Sequence, residues 1–194
     1  SLVKYLDLRD GKVSFYLAEA KAEDDSDEPT NTVMEGNALI GGYDKAGKLI
    51  WSWHIWVTNG DPREETITLN GEEMMNRNLG AFTNSDGSTD GAEIFRSYGM
   101  YYQWGNKNPF VGPQRYNFPG NHDDILYDNK EYNVYLEYEA SSAKVGSLEW
   151  SNANPMALIK GNKDNDYDWL FEGHDNTLWS EDTKTDNDPC PAGW

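Results

Sequence analysis

The 194-residue chain carries one cysteine, Cys190, so no disulfide can form within it and a small disulfide scaffold is excluded. It contains no apolar run long enough for a membrane-spanning helix, and no signal-peptide pattern follows Ser1. Basic residues are scarce: 16 Lys and Arg stand against 34 Asp and Glu, for a net charge of -18. A field of that sign repels phosphate backbones and anionic headgroups, which argues against a nucleic-acid partner. Internal repeats are absent. So are a P-loop, an HExxH, a CxxC and any Ser-His-Asp motif. The three histidines, His54, His122 and His174, lie far apart. A non-enzymatic role is therefore expected, although a glycosidase-like carboxylate pair would go unmarked among so many acids.

Apolar residues make up only 37% of the chain, and the mean hydropathy is -0.84. Aromatics, however, reach 13%, with eight tryptophans. Disordered chains are poor in aromatics, so most of this one should fold. Large rings must then supply much of the buried area that aliphatic residues usually provide.

The organisation reads as β-rich. "LVKYLDLRDGKVSFYLAEA" is a hairpin turning at Asp10-Gly11, with Val13, Phe15 and Leu17 on one face. The acidic stretch 19–31, with six carboxylates and almost nothing apolar, reads as an exposed, mobile loop. A second hairpin, "NALIGGYDKAGKLIWSWHIWVTN", turns at "DKAG". Trp51, Trp53, Ile55 and Val57 share one face of its second strand, and Ile50, Ser52, His54, Trp56 and Thr58 share the other. Neither face is polar throughout, so this strand is expected to be central, with Trp51 and Trp53 mostly buried. A sugar-stacking platform is the alternative for its rings. His54, among them, is expected to be a hydrogen-bonded structural residue.

From Glu65 onward the pattern becomes irregular. Asn70-Gly71 marks a turn between two short strands, and Ile94, Phe95 and Tyr98 fall near helical spacing. Long loops rich in Pro, Gly and Asn come next, and "LYDNKEYNVYLEYEA" alternates again. The expectation is a mainly β, β-rich α+β chain with long loops. Residues 1–64 would form a β-hairpin or sandwich portion, and residues 65–194 an aromatic-rich domain of C-type-lectin-like build.

Two stretches stand out as candidate sites. "GMYYQWGNKNPF" sets Tyr101, Tyr102, Gln103, Trp104 and Asn106 on a glycine-flanked loop, mixing flat rings with amides. That mixture suits sugar or protein recognition, or else pegs the loop to the core. "KDNDYDW" places Asp164, Asp166 and Asp168 at alternate positions, as calcium loops do. A second acidic group is Asp86, Asp90 and Glu93. Neither stretch is an EF-hand: the twelfth residue from Asp86 is Ser97, and the sixth from Asp164 is Trp169. Calcium is the one cofactor this pattern admits.

Four motifs in order carry a resemblance: "GNALIGGYDKAGKLIWSWHIWVT", "MMNRNLGA", "GMYYQWGNKNPF" and "DPCPAGW". Together they resemble surface proteins of Bacteroides-type bacteria, in regions related to the FISUMP (major paralogous) domain, many of them lipoproteins or fimbrillin-like. The resemblance spans Gly36 to Trp194 and leaves residues 1–35 unmatched. It implies export and display at the outer-membrane surface, through a lipid anchor outside this chain. It also implies a continuation after "DPCPAGW", where any partner of Cys190 would lie. The function it implies is surface adhesion or association with fimbriae; the alternative is a glycan-binding module for polysaccharide capture. Partners would be glycans or other surface and pilus proteins. It carries over no catalytic residues.

Overall fold

The computed structural model describes residues 1–21, 30–84, 87–110, 115–118, 122–125, 137–180 and 182–194. Within them the chain is mainly β, built from short two-stranded sheets with two short helices. β1 (Val3–Arg9) and β2 (Lys12–Leu17) pair antiparallel, as do β3 (Gly36–Tyr43) with β4 (Leu49–Val57) and β5 (Thr66–Leu69) with β6 (Glu72–Met75). β7 (Arg115–Phe118) and β8 (His122–Ile125) form a fourth antiparallel pair. β9 (Glu137–Ala140) and β10 (Ala157–Lys160) run parallel, joined by a crossover that carries helix α2 (Leu148–Ala153). Helix α1 (Gly91–Arg96) lies between β6 and β7.

Both expected tight turns form, for the expected reason. Asp10 and Gly11 have φ of 51° and 72°, and Asn70 and Gly71 have 54° and 95°. Two successive positive φ values are the geometry that matches the right-handed twist of a hairpin, and Asp-Gly and Asn-Gly tolerate it best. Val13, Phe15 and Leu17 are half-buried while Lys12, Ser14 and Tyr16 are exposed, as the alternation requires. Of the acidic stretch 19–31, residues 22–29 lie outside the described residues. Its flanks pair with each other: Ala20 donates its N–H to Thr32 O at 2.9 Å, and Asn31 N–H donates to Glu19 Oε1 at 2.7 Å. Asp86 also lies outside the described residues, as does most of the alternating stretch before β9.

The tryptophan strand departs from expectation. Among the described residues β4 has a single partner, β3, so it is not central there. Trp53 is 40% exposed and Ile50 61% exposed, while Trp51 is half-buried. Counting rings treated both faces as equally apolar, but beyond the exposed Ile50 at its start the strand turns inward the face whose polar atoms find partners, with Ser52 buried and His54 and Trp56 half-buried. Ser52 Oγ donates to Asn108 Oδ1 at 2.9 Å, His54 meets Tyr102 and Asn37, and Trp56 Nε1 donates to Ala81 O at 2.8 Å. The opposite face, with Trp53, looks onto a recess of about 380 Å³ shared with Leu6, Leu8 and Val13 of the first hairpin.

Against the inner face of β4 sits "GNKNPF", residues 105–110, every one of them buried. Lys107 Nζ donates to Ser52 O (3.0 Å), Ser52 Oγ (2.7 Å) and Asn108 Oδ1 (3.1 Å), and lies 4.2 Å from the Trp51 ring centre. Three acceptors and an indole face compensate a cation that has no acidic partner among the described residues. Burial still lowers its pKa to about 8. Asn108 Nδ2 reaches Ser151 O of α2 at 3.3 Å, tying that helix to the same hub. Phe95, Phe110, Ile159, Trp169 and Leu178 are among the buried apolar side chains.

Candidate functional site

The site is set by the loop that leaves β10. Gly161 ends the strand, and a Cβ there would meet Asp168 O at 2.0 Å and the Tyr167 carbonyl carbon at 2.3 Å. Only glycine lets these two backbone segments approach so closely. Asn162 then caps a 3-10 turn, Lys163–Asn165: its Oδ1 accepts from Asp164 N at 2.7 Å, and Asn165 Oδ1 accepts from Asn162 N at 2.8 Å. Asp166 and Tyr167 come next with φ of 53° and 62°, an uncommon left-handed pair. Tyr167, at their end, is 76% exposed. Asn165 Nδ2 closes the loop on Asp168 O at 2.7 Å and Leu170 O at 3.2 Å.

Asp168 is an organiser. One oxygen accepts Leu170 N at 2.9 Å and the other meets His174 Nδ1 at 2.7 Å. His174 Nε2 lies 2.9 Å from Asn176 Oδ1. An imidazole with an acceptor at each nitrogen favours the doubly protonated form, and the hydrogen bond to Asp168 is the main reason its pKa is raised.

The second wall is the Tyr101–Trp104 segment. Gln103 clamps the β10 backbone in both directions: Nε2 donates to Ile159 O at 2.7 Å, and Oε1 accepts Ile159 N at 3.1 Å. Trp104 O accepts Trp169 Nε1 at 2.6 Å. The Trp104 ring packs between Trp179, at 5.1 Å, and His174, at 5.7 Å, and remains 46% exposed.

The two segments enclose an open cleft of about 600 Å³. Trp104, Tyr167 and Phe171 supply its exposed rings, beside the buried Trp169, and Asp164, Asp166, Asp168, Glu172 and His174 its titratable groups. Thus the amide-aromatic loop and the alternating aspartates, read separately in the sequence, meet at one place. The aspartates do not converge: the 3-10 turn and two left-handed residues replace the extended backbone that alternation implies. Among the described residues, no three His, Cys, Asp or Glu side chains are grouped so as to hold a metal ion.

The amide-aromatic loop divides. Gln103 and Trp104 reach the cleft. Tyr101 is exposed but does not line it; its backbone pairs with Phe110. Tyr102 and Asn106 turn inward. Tyr102 O–H donates to His54 Nδ1 at 3.0 Å, His54 Nε2–H donates to Asn37 Oδ1 at 2.8 Å, and Asn37 Nδ2 donates to Gly80 O at 2.8 Å. Burial lowers the His54 pKa to about 4, so this histidine is a neutral structural link, as the sequence suggested. Asn106 is 1% exposed, its Oδ1 accepts Asn108 N at 3.0 Å, and its Nδ2 has no partner among the described residues.

Tyr167, Phe171, Glu172 and His174 were not legible as site residues. The available signal was "DYDWLFEGH" itself, a run mixing acids, rings and a histidine.

A larger concavity, about 790 Å³, lies along Met74, Met75, Met100 and Trp179. Among the described residues, its one cationic group and the neighbouring amide are already engaged. Arg77 binds Glu65, Thr58 and the Asn59 carbonyl, and Asn76 Nδ2 donates to Glu65. In the smaller cleft, by contrast, the carboxylates of Asp164, Asp166 and Glu172 are exposed and have no hydrogen-bond or ion-pair partner among the described residues. That contrast makes the smaller cleft the better candidate. Comparison with protein-family models, curated proteins and solved structures found no match.

Proposed function

We propose that the chain is a non-enzymatic adhesion module of a bacterial surface, and that the Trp104–Tyr167–Phe171 cleft takes glycan. The observation that carries this reading is the pairing of exposed rings with unengaged carboxylates in one cleft. A pyranose presents an apolar face and a rim of hydroxyl donors. Indole and phenol rings suit the face, and carboxylates accept from the rim. The resemblance of the ordered motifs to FISUMP-type surface proteins adds export, outer-membrane display and association with fimbriae to the proposal. A C-type-lectin-like arrangement of residues 65–194, with recognition on long pinned loops, belongs to it as well.

Trp104 is built into the loop packing, whereas Tyr167 is 76% exposed and forms no hydrogen bond through its side chain among the described residues. Tyr167→Ala is therefore the cleaner test. A glycan array followed by titration calorimetry should show a ligand for the wild type, and Tyr167→Ala should weaken it about tenfold or more while the melting temperature stays within about 1–2 °C. Undiminished binding by the variant would remove the cleft as the site. Turnover of the bound glycan would overturn the non-enzymatic reading.

A further inference from the structure

The charge around the cleft points to a narrower class of ligand. Four carboxylates line it, from Asp164, Asp166, Asp168 and Glu172. Among the described residues, the only basic side chain in the lining is His174, and it is already paired with Asp168 at 2.7 Å. Three carboxylates remain uncompensated, beside three accessible rings. No lysine or arginine among the described residues lines the cleft. The lining amides give little relief as donors. Gln103 Nε2 is held by Ile159 O, and Asn165 Nδ2 by Asp168 O and Leu170 O. The cleft therefore offers acceptors and ring faces, and few donors.

An anionic sugar would bring acceptors to acceptors and negative charge to negative charge. A protonated amine reverses both terms: it donates to carboxylate and is attracted to the face of an aromatic ring. The overall charge of -18 adds a long-range field of the same preference. We infer that the cleft selects a glycan carrying free amino groups, its sugar faces on Trp104 or Tyr167 and its ammonium groups at Asp164, Asp166 or Glu172, and that it rejects uronic and sulfated glycans. This inference rests on the glycan reading of the cleft.

The test compares oligosaccharides of equal length by calorimetry in about 50 mM and about 500 mM salt: a β-1,4-glucosamine oligomer, its fully N-acetylated form, and an oligogalacturonate. The free-amine oligomer should bind at least about tenfold more tightly than the acetylated one at low salt, and the uronate should not bind. The advantage should shrink at high salt, as charge attraction does. In an Asp166→Asn/Glu172→Gln variant, whose side-chain amides still accept from sugar hydroxyls, the ratio of free-amine to acetylated affinity should fall to about threefold or less, whatever affinity the two oligomers lose in common. The double variant matters because a chain this acidic attracts any cation; an advantage that survives it would be diffuse and would overturn the inference. Equal or tighter binding of the acetylated oligomer or the uronate would overturn the inference and leave the glycan reading standing. Failure of all three to bind would sink both. A trilysine peptide that binds as tightly as the amino oligomer would show that charge alone is read, and would overturn the sugar assignment.

Discussion

Lowering the pH from 7 to 4 should remove about 3 kcal/mol of stability through one residue, His54. Its imidazole is enclosed, donating from Nε2 to Asn37 and accepting at Nδ1 from the Tyr102 hydroxyl, both at 3.0 Å or less. No carboxylate pairs with it among the described residues. Protonating Nδ1 would set a second N–H against the Tyr102 hydroxyl and place an unpaired charge in the interior. Its pKa is accordingly near 4, against 6.5 for a free imidazole. The folded value lies below the unfolded one, so the stabilising contribution is complete above about pH 6.5 and is lost as pH falls toward 4. Across that gap the difference amounts to about 3 kcal/mol. An opposing effect accompanies it. Acid protonates surface carboxylates and relieves the self-repulsion of a chain of net charge -18. The wild type alone therefore cannot isolate the histidine. Urea unfolding of the wild type and of His54→Gln, from pH 7 to pH 4, separates the two, because glutamine keeps a donor and an acceptor and does not titrate. The wild-type advantage should shrink by about 3 kcal/mol over this range. A constant difference, or an imidazole NMR titration near 6.5 in the native protein, would refute the reasoning.

Other perturbations draw on the same geometry. Trp53→Ala should cost about half of the ~3–5 kcal/mol that a fully buried tryptophan costs, because the ring is 40% exposed; chemical denaturation measures this. Gln103→Ala strips partners from both the N–H and the C=O of Ile159, a residue 1% exposed, and should cost about 2–4 kcal/mol in the same assay. Lys107, with its pKa lowered from 10.5 to about 8, disfavours the folded state while charged. Relative to Lys107→Met, the wild type should therefore gain stability as pH rises from 8 toward 10.5, by up to about 3 kcal/mol, and a flat difference would show the ammonium fully compensated.

Local features were legible where one residue type answers one geometric demand. Asp10-Gly11 and Asn70-Gly71 announce turns because few other pairs accept two positive φ values, and the spacing of Ile94, Phe95 and Tyr98 points to a helix that holds the first two and ends at Arg96. What failed was the inference from apolar count to burial in β4. Tryptophan, histidine and serine each carry a polar atom. The buried face was decided by which of those atoms found partners elsewhere, on Ala81, Tyr102 and Asn108. Those partners lie tens of positions away in the chain, so no local pattern holds the information. Helix α2 was missed for another reason. It is six residues long, and its one strong signal is Ser147, whose Oγ accepts from Trp150 N at 3.2 Å. The cleft was half legible: each wall contains a suggestive run, but their meeting depends on Gln103 bonding to the Ile159 backbone, 56 residues on.

That dependence on backbone bonds bears on how the cleft can work. Gln103 grips the amide and carbonyl of Ile159, Trp169 grips the carbonyl of Trp104, and Asn165 grips the carbonyls of Asp168 and Leu170. Each contact fixes where the chain runs without using a cleft-facing carboxylate or the Tyr167 and Phe171 rings. These groups stand on a pinned frame, so little loop ordering has to accompany ligand binding, and the ordering cost that weakens recognition by mobile loops is reduced. The frame and the recognition groups are also separable. Exchanging Tyr167, Phe171 or Glu172 leaves every one of these side-chain contacts in place, whereas exchanging Gln103 or Gly161 moves one wall against the other. Affinity and specificity at this cleft are thus expected to change by substitution at the first set with little change in stability, and loss of folding is expected to track the second.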